Sequence, residues 1–171
     1  MTNWRSNRPC ASLPKAHNAK LIIVCGLPGS GKTTHAKQLE LELGAVRFCP
    51  DEWFEALSLN FHDEDRRAKI EVLQWQLAQK LLMRTVPVII EWGTWSRVER
   101  DTLRLGARNI GIAVELHYLS APEDVLFQRI QSRAMESPPI RREQIAQWAA
   151  LFQEPTHEEM ALFDAHLCLG R

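Results

Sequence analysis

The chain has no long apolar run, no paired-cysteine motif and no excess charge of either sign, and each absence removes a class of function. No stretch of about 18 apolar residues occurs, so no membrane-spanning helix is expected. The N-terminus has no apolar h-region, which argues against a secretory signal. The four cysteines, Cys10, Cys25, Cys49 and Cys168, form no C-x-x-C pair and no metal-ligand spacing. Three of them fall in expected strands, so they are read as buried, reduced thiols of a cytoplasmic protein. The six histidines make no H-x-x-x-H cluster, and no zinc site is inferred. Acids and bases balance at 21 each, so no global field draws the chain to nucleic acid or to an anionic membrane. Nucleic acid is therefore the less favoured partner, and nothing in the composition bears on oligomeric state.

What is present fits one globular domain. At 171 residues, with 45% hydrophobic and 25% charged content, the chain can bury a sizeable core. The first 20 residues carry Arg5, Arg8, Lys15 and Lys20 and no acid. They lack the amphipathic pattern of a transit peptide, so 1–19 is expected to be a disordered or loosely packed basic tail and 20–171 the domain.

The stretch Gly26-Leu27-Pro28-Gly29-Ser30-Gly31-Lys32-Thr33 fits G-x-x-x-x-G-K-[ST], the phosphate-binding P-loop. The apolar run Leu21–Val24 before it reads as a buried parallel strand. The pattern after it, with Ala36, Leu39 and Leu43 on one face, reads as a helix ending at Gly44. Glycines let the loop curl so that its N–H groups point at an anion, and the helix adds its positive N-terminal end. Lys32 supplies a mobile charge for the β- and γ-phosphates, and the Thr33 hydroxyl is placed to ligate Mg²⁺. Nucleotide contacts are expected from Gly26 through Thr34. No N-K-x-D motif follows, which disfavours a GTPase.

Further along, strands at 45–49, 86–90, 111–119 and 165–169 alternate with helices, implying a parallel sheet with helices on both faces. Asp63-Glu64-Asp65 opens a long helix whose Ile70, Leu73, Leu77, Leu81 and Leu82 are expected to face the core. Ser96 and Glu99 form a capping box for another helix, expected to end near Gly106 or Asn109. Ligands in such sheets lie beyond the carboxyl ends of the strands, where Asp51 and Glu91 fall. Asp51 can accept the proton of a substrate hydroxyl, with Glu52 its competitor. Glu91 sits where a Walker B acid would help hold the Mg²⁺ shell, or contacts substrate. Trp92 and Trp95 follow as candidate walls for an acceptor or as core lids. Arg100 is a candidate anchor for a substrate anion, and Arg97 reads as a surface residue. Arg129 and Arg133 share a helix face before a Pro-rich segment ending in Arg141-Arg142, a candidate basic lid over about 134–142.

The P-loop, Asp51-Glu52-Trp53, Glu91-Trp92-Gly93 through Arg100, and Arg129-x-x-x-Arg133 resemble the adenylate-kinase-like P-loop kinases. Closest are the bacterial AAA-type ATP-binding proteins grouped with polynucleotide kinase, zeta toxin and chloramphenicol phosphotransferase. The resemblance covers about Lys20 to Leu169. It implies strand order 2-3-1-4-5 and transfer of the γ-phosphoryl group of ATP-Mg²⁺ to a hydroxyl. It also implies Asp51 as general base, Arg129 near the adenine, Arg133 as lid arginine on the phosphates, and Phe152–Pro155 with Glu158 as a loop bordering the base. Two departures stand out. Glu91 replaces an Asp, and Phe54 stands where the polynucleotide kinases place an Arg. A small-molecule kinase is the leading reading. A 5′-hydroxyl polynucleotide kinase and a non-catalytic ATP-responsive module are the alternatives. The chain lacks room for the helical lid domain of a ring-forming AAA+ motor.

Overall fold

A computed structural model describes residues 19–61, 63–133 and 140–170. Its elements are β1 (Lys20–Cys25), α1 (Lys32–Leu43), β2 (Val46–Phe48), α2 (Pro50–Ala56), α3 (Glu64–Leu82), β3 (Val88–Gly93), α4 (Arg97–Arg108), β4 (Ala113–Leu119), α5 (Glu123–Arg133), α6 (Arg142–Leu151), α7 (His157–Met160) and β5 (Ala165–Leu169). The strands form one parallel sheet in the order β2-β3-β1-β4-β5, as the resemblance implies.

β1 is central, and Leu21 to Cys25 are fully buried. Each such side chain contributes about 1.5–3 kcal/mol relative to exposure. Alternation splits the strand between two cores. Leu21, Ile23 and Cys25 pack with Ala78 and Leu82 of α3 and Leu103 and Ala107 of α4. Ile22 and Val24 pack with Ala36 of α1, with Leu39 and Leu43 against them. That apolar content on both faces is why β1 reads as an unbroken hydrophobic run. Gly44 ends α1 in the left-handed region at φ 59°, donating its N–H to the Glu40 carbonyl.

The α3 stripe corrects the sequence expectation. Its buried residues are Ile70, Gln74, Ala78 and Leu82, whereas Leu73 and Leu77 are 51% and 42% exposed. The helix is rotated so that an amide, not a leucine, faces inward. α4 is capped at Asn109, one of the two expected ends, and Gly106 lies inside it, where the Trp75 ring occupies the space a side chain would need, 2.7 Å from an added Cβ. Cys25 and Cys49 are buried as expected, but Cys168 is exposed on the edge strand β5. Burial pushes the Cys25 thiol up to about 12. Among the described residues no helix is long and apolar enough to cross a membrane. Residues 1–18 of the expected tail, with Cys10, and residues 134–139 of the expected lid lie outside the described residues.

Candidate active site at the carboxyl rim

The loop between β1 and α1 is held close to β4 and α5. An added Cβ on Gly26 would lie 2.1 Å from the Leu119 carbonyl, and one on Gly29 2.8 Å from that of Leu126. Their φ values of +141° and +82° are also glycine's territory. Leu27, Pro28 and Ser30 complete the turn, with the Ser30 N–H donating to the Leu27 carbonyl at 3.1 Å. Lys32 folds over the loop, its Nζ 2.9 Å from the Leu27 carbonyl. Arg129 reaches back from α5, Nη1 lying 3.2 Å from the Gly29 carbonyl and 3.4 Å from that of Ser30. An open cleft of about 350 Å³ beside the loop is lined by Ser30, Gly31, Thr34, His35, Gln38 and Arg129. Arg133 closes α5, and its side chain lies outside the described residues.

Thr33 and Glu91 are brought together from 58 residues apart. The Thr33 hydroxyl donates to Glu91 Oε1 at 2.5 Å, in the short range of charge-assisted bonds. Glu91 lies within β3 rather than beyond its tip, and it is buried. Its Oε2 accepts from Arg47 Nη1 at 2.8 Å. Arg47, absent from the sequence reading, is buried and also pairs with Glu52 at 2.5 Å and Glu40 at 3.4 Å. Burial would lower its pKa, but Glu52 and Glu91 outweigh that and hold it above its ordinary value. The signal is the register: Arg47 pairs Ile89, two residues from Glu91, so both side chains lie on one sheet face.

The two acids opening α2 have separate fates. Glu52 is engaged by Arg47 and by Lys37 at 3.4 Å. Burial pushes its carboxyl up, and the Arg47 hydrogen bond more than reverses that. Asp51 stays largely exposed, its Oδ1 accepting from Arg67 at 2.7 Å. That guanidinium comes from α3 and lies over the Phe54 ring, 5.1 Å from its centroid. The arginine beside the candidate base therefore arrives from another element.

Arg100 is corrected. It is fully buried and bidentate to Glu159 at 2.6 and 3.0 Å, and it donates to the Thr94 and Gln153 carbonyls. Four of its five N–H donors are spent inside the fold and the side chain is fully buried, so it is not presented to a substrate anion; its work is to pin the β3–α4 turn to the segment before α7. The periodicity with Leu103 and Ala107, three and seven residues on, was the available signal of burial. Gln153 also donates its N–H to the Trp95 carbonyl and accepts from the Arg97 N–H. Phe152–Pro155 is thus tied to the β3–α4 turn, and none of it lines the cleft beside the P-loop. Trp92 packs against the core with a buried, unpartnered Nε1, and Trp95 is half-buried and edge-on to Trp148 at 6.4 Å. Arg142 of the expected lid is committed to Asp124 and the Phe127 ring of α5.

On the donor side, His35 Nε2 and His117 Nδ1 are 2.9 Å apart. His117 Nε2 lies 3.4 Å from Glu115, which pairs with Lys20 at 2.9 Å. Burial lowers both histidines' pKa values, and the neighbouring His35 lowers that of His117 further. Among the described residues no group of three metal-ligating side chains occurs.

Comparison with known proteins adds the family. The model described as an AAA domain matches residues 21–155. No curated protein matches. A Janibacter sugar kinase is 22% identical with a TM-score of 0.63, covering 89% of this chain and 85% of that one. Chaetomium thermophilum Kti12 in complex with ADP-AlF3 is 20% identical at 0.65, covering 88% of each. Mycobacterium tuberculosis APS kinase in complex with AMPPNP and APS is 19% identical at 0.58, covering 88% of each.

Proposed function

Because the chain belongs to the AAA domain family and has a P-loop kinase fold, we propose that it transfers the γ-phosphoryl group of ATP to a hydroxyl of a small molecule. The observation that carries this reading is the Thr33–Glu91 hydrogen bond beneath the P-loop. It joins the phosphate cradle to the tip of β3, one strand from Asp51, so donor and acceptor groups share one rim.

The residues fit Mg²⁺. The Thr33 oxygen keeps a lone pair for a cation while its proton is held by Glu91. Both Glu91 oxygens are occupied, by Thr33 and Arg47, so Glu91 serves from the outer shell through water. A bound Mg²⁺ supplies charge neutralisation to the phosphates. Lys32 and the loop N–H groups hold the phosphates. Arg129 borders the nucleotide side, and Arg133 is the lid arginine. Asp51 accepts the acceptor's proton, and Arg67 orients its carboxylate. The balanced charge of the chain, 21 acids against 21 bases, favours a small molecule over a 5′-hydroxyl polynucleotide.

The test couples two variants. With ATP-Mg²⁺ and a panel of hydroxyl acceptors, product is followed by phosphorus NMR. Lys32→Ala is expected to abolish nucleotide binding, while Asp51→Asn should keep it and lose transfer roughly 100-fold or more. Normal ATP binding with no phosphorylated product from any acceptor would overturn the reading. Function unchanged in Asp51→Asn would indicate a binding module instead.

A further inference from the structure

The inward stripe of α3 changes character along its length. Leu82 and Ala78 are buried in the core, and the next residue toward the rim, Gln74, is fully buried with neither amide atom hydrogen-bonded. Glu71 and Arg67 follow on the same side, three and seven residues further. Arg67 is committed to Asp51. Among the described residues no hydrogen bond or ion pair engages Glu71, though it is only half-exposed. The charges facing it are Arg67 and Glu64 of its own helix, Glu99 of α4 and Asp51 of α2. Three of the four repel a carboxylate.

The tip of β3 meets this stripe. Leu82 and Val88 share a core cluster. From Leu82 back to Gln74 is about 12 Å of helix, and from Val88 on to Trp92 is about 13 Å of strand. Gln74 and Trp92 therefore lie at one level. Trp92 Nε1 and Thr94 Oγ1 are also buried without partners, and Thr94 is held at φ +40°. A buried amide, indole N–H or hydroxyl left unpaired costs stability. Such groups are paired in native proteins by water or ligand, and strained residues gather where ligands bind.

Resting on the kinase reading above, we infer that Glu71, Gln74, Trp92 and Thr94 form the acceptor pocket, and that it takes a hydroxyl-rich small molecule bearing an amine, with the ammonium group on Glu71. The neutral groups match hydroxyls, which both donate and accept. The acidic surroundings exclude an anion and favour a cation, which would supply the partner that Glu71 lacks.

Isothermal titration with a non-hydrolysable ATP analogue and Mg²⁺ present tests this with amine and neutral pairs, glucosamine against glucose and inosamine against inositol. The amine of a pair is expected to bind at least tenfold tighter. Glu71→Gln should remove that preference, while Glu123→Gln, an exposed change of equal charge, should keep it. No amine preference in either pair, or a preference that survives Glu71→Gln, would overturn the inference. The ligand-free melting temperature is a second readout. Glu71→Gln is expected to raise it, because an unpaired carboxylate is removed, whereas a fall would mark a structural role and also overturn the inference. Mass spectrometry of the same mixtures separates the two readings. Neutral acceptors phosphorylated without amine preference would sink the pocket and keep the kinase. Amine binding with no product would do the reverse.

Discussion

The two halves of the rim are built differently. The proposed donor half is one contiguous stretch, Gly26 to Thr34, which offers a phosphate mostly backbone groups. The proposed acceptor half is assembled from side chains of α2, α3 and β3. Its polar groups are either cross-linked, as in Asp51–Arg67, or left unpaired, as in Gln74 and Glu71. A phosphate cradle can serve any triphosphate enzyme, so it needs only a fixed local conformation. An acceptor pocket must discriminate, and discrimination draws on side chains set by tertiary packing.

Two buried arginines give the strongest test of that division. Arg100–Glu159 is fully buried and ties loops together, whereas Arg47–Glu91 lies under the candidate metal position. Replacing either arginine with Met strands a buried carboxylate and should cost about 3–5 kcal/mol in chemical denaturation, more for Arg100. The variants should part in nucleotide binding. Where it is folded, Arg100→Met should keep the Mg²⁺ dependence of binding to a fluorescent ATP analogue. Arg47→Met should weaken it, because Glu91 loses the partner that orients it toward Thr33. Equal Mg²⁺ dependence in both would make Arg47 merely structural.

Gly26 of the donor half and Gly111, which lies before β4, both have positive φ, but of the two only Gly26 has a neighbour in the way. Gly26→Ala is expected to lose about 1–3 kcal/mol and nucleotide binding with it. Gly111→Ala meets open space, so it should cost only the left-handed backbone penalty, about 1–2 kcal/mol, with binding unchanged. Thermal melts with and without ATP-Mg²⁺ read both effects. Equal losses would mean that backbone strain, and not the Leu119 carbonyl, sets the requirement.

The same division explains what could be read from the chain. The P-loop, the strand order and the Ser96–Glu99 capping box rest on local pattern or on the family resemblance, and they stand in the structure. The α3 face was misread because Leu73 and Leu77 follow helical spacing as well as Gln74 and Ala78 do. Periodicity ranks leucine above glutamine for the inside, whereas tertiary packing turns the Gln74 face inward. Arg47 is silent without the β2–β3 register that sets it beside Glu91. Arg100 looked like a substrate anchor because its partner, Glu159, lies 59 residues away. Arg47 and Arg100 are polar side chains whose partners are distant in sequence, and Gln74 is one whose burial is set by tertiary packing.

The smallest expected effect separates the halves by pH. In the donor half, burial keeps the His35–His117 pair below the usual histidine value of 6.5. The unfolded chain then binds protons that the folded one refuses, so this pair costs stability as pH falls through 6.5. In the acceptor half, burial raises the Glu71 carboxyl from 4.5 to about 7. Here the folded chain holds the proton longer, so stability falls as pH rises from 4.5 to 7 and is flat above. The slopes oppose each other and partly cancel in the unmodified protein. Melting temperatures from pH 4.5 to 8 should resolve them by substitution. Glu71→Gln should steepen the loss on the acid side, and His117→Gln should flatten it. If Glu71→Gln leaves the profile unchanged, its carboxylate is solvated or paired, and the contrast drawn from an unpaired carboxylate on the acceptor side fails there.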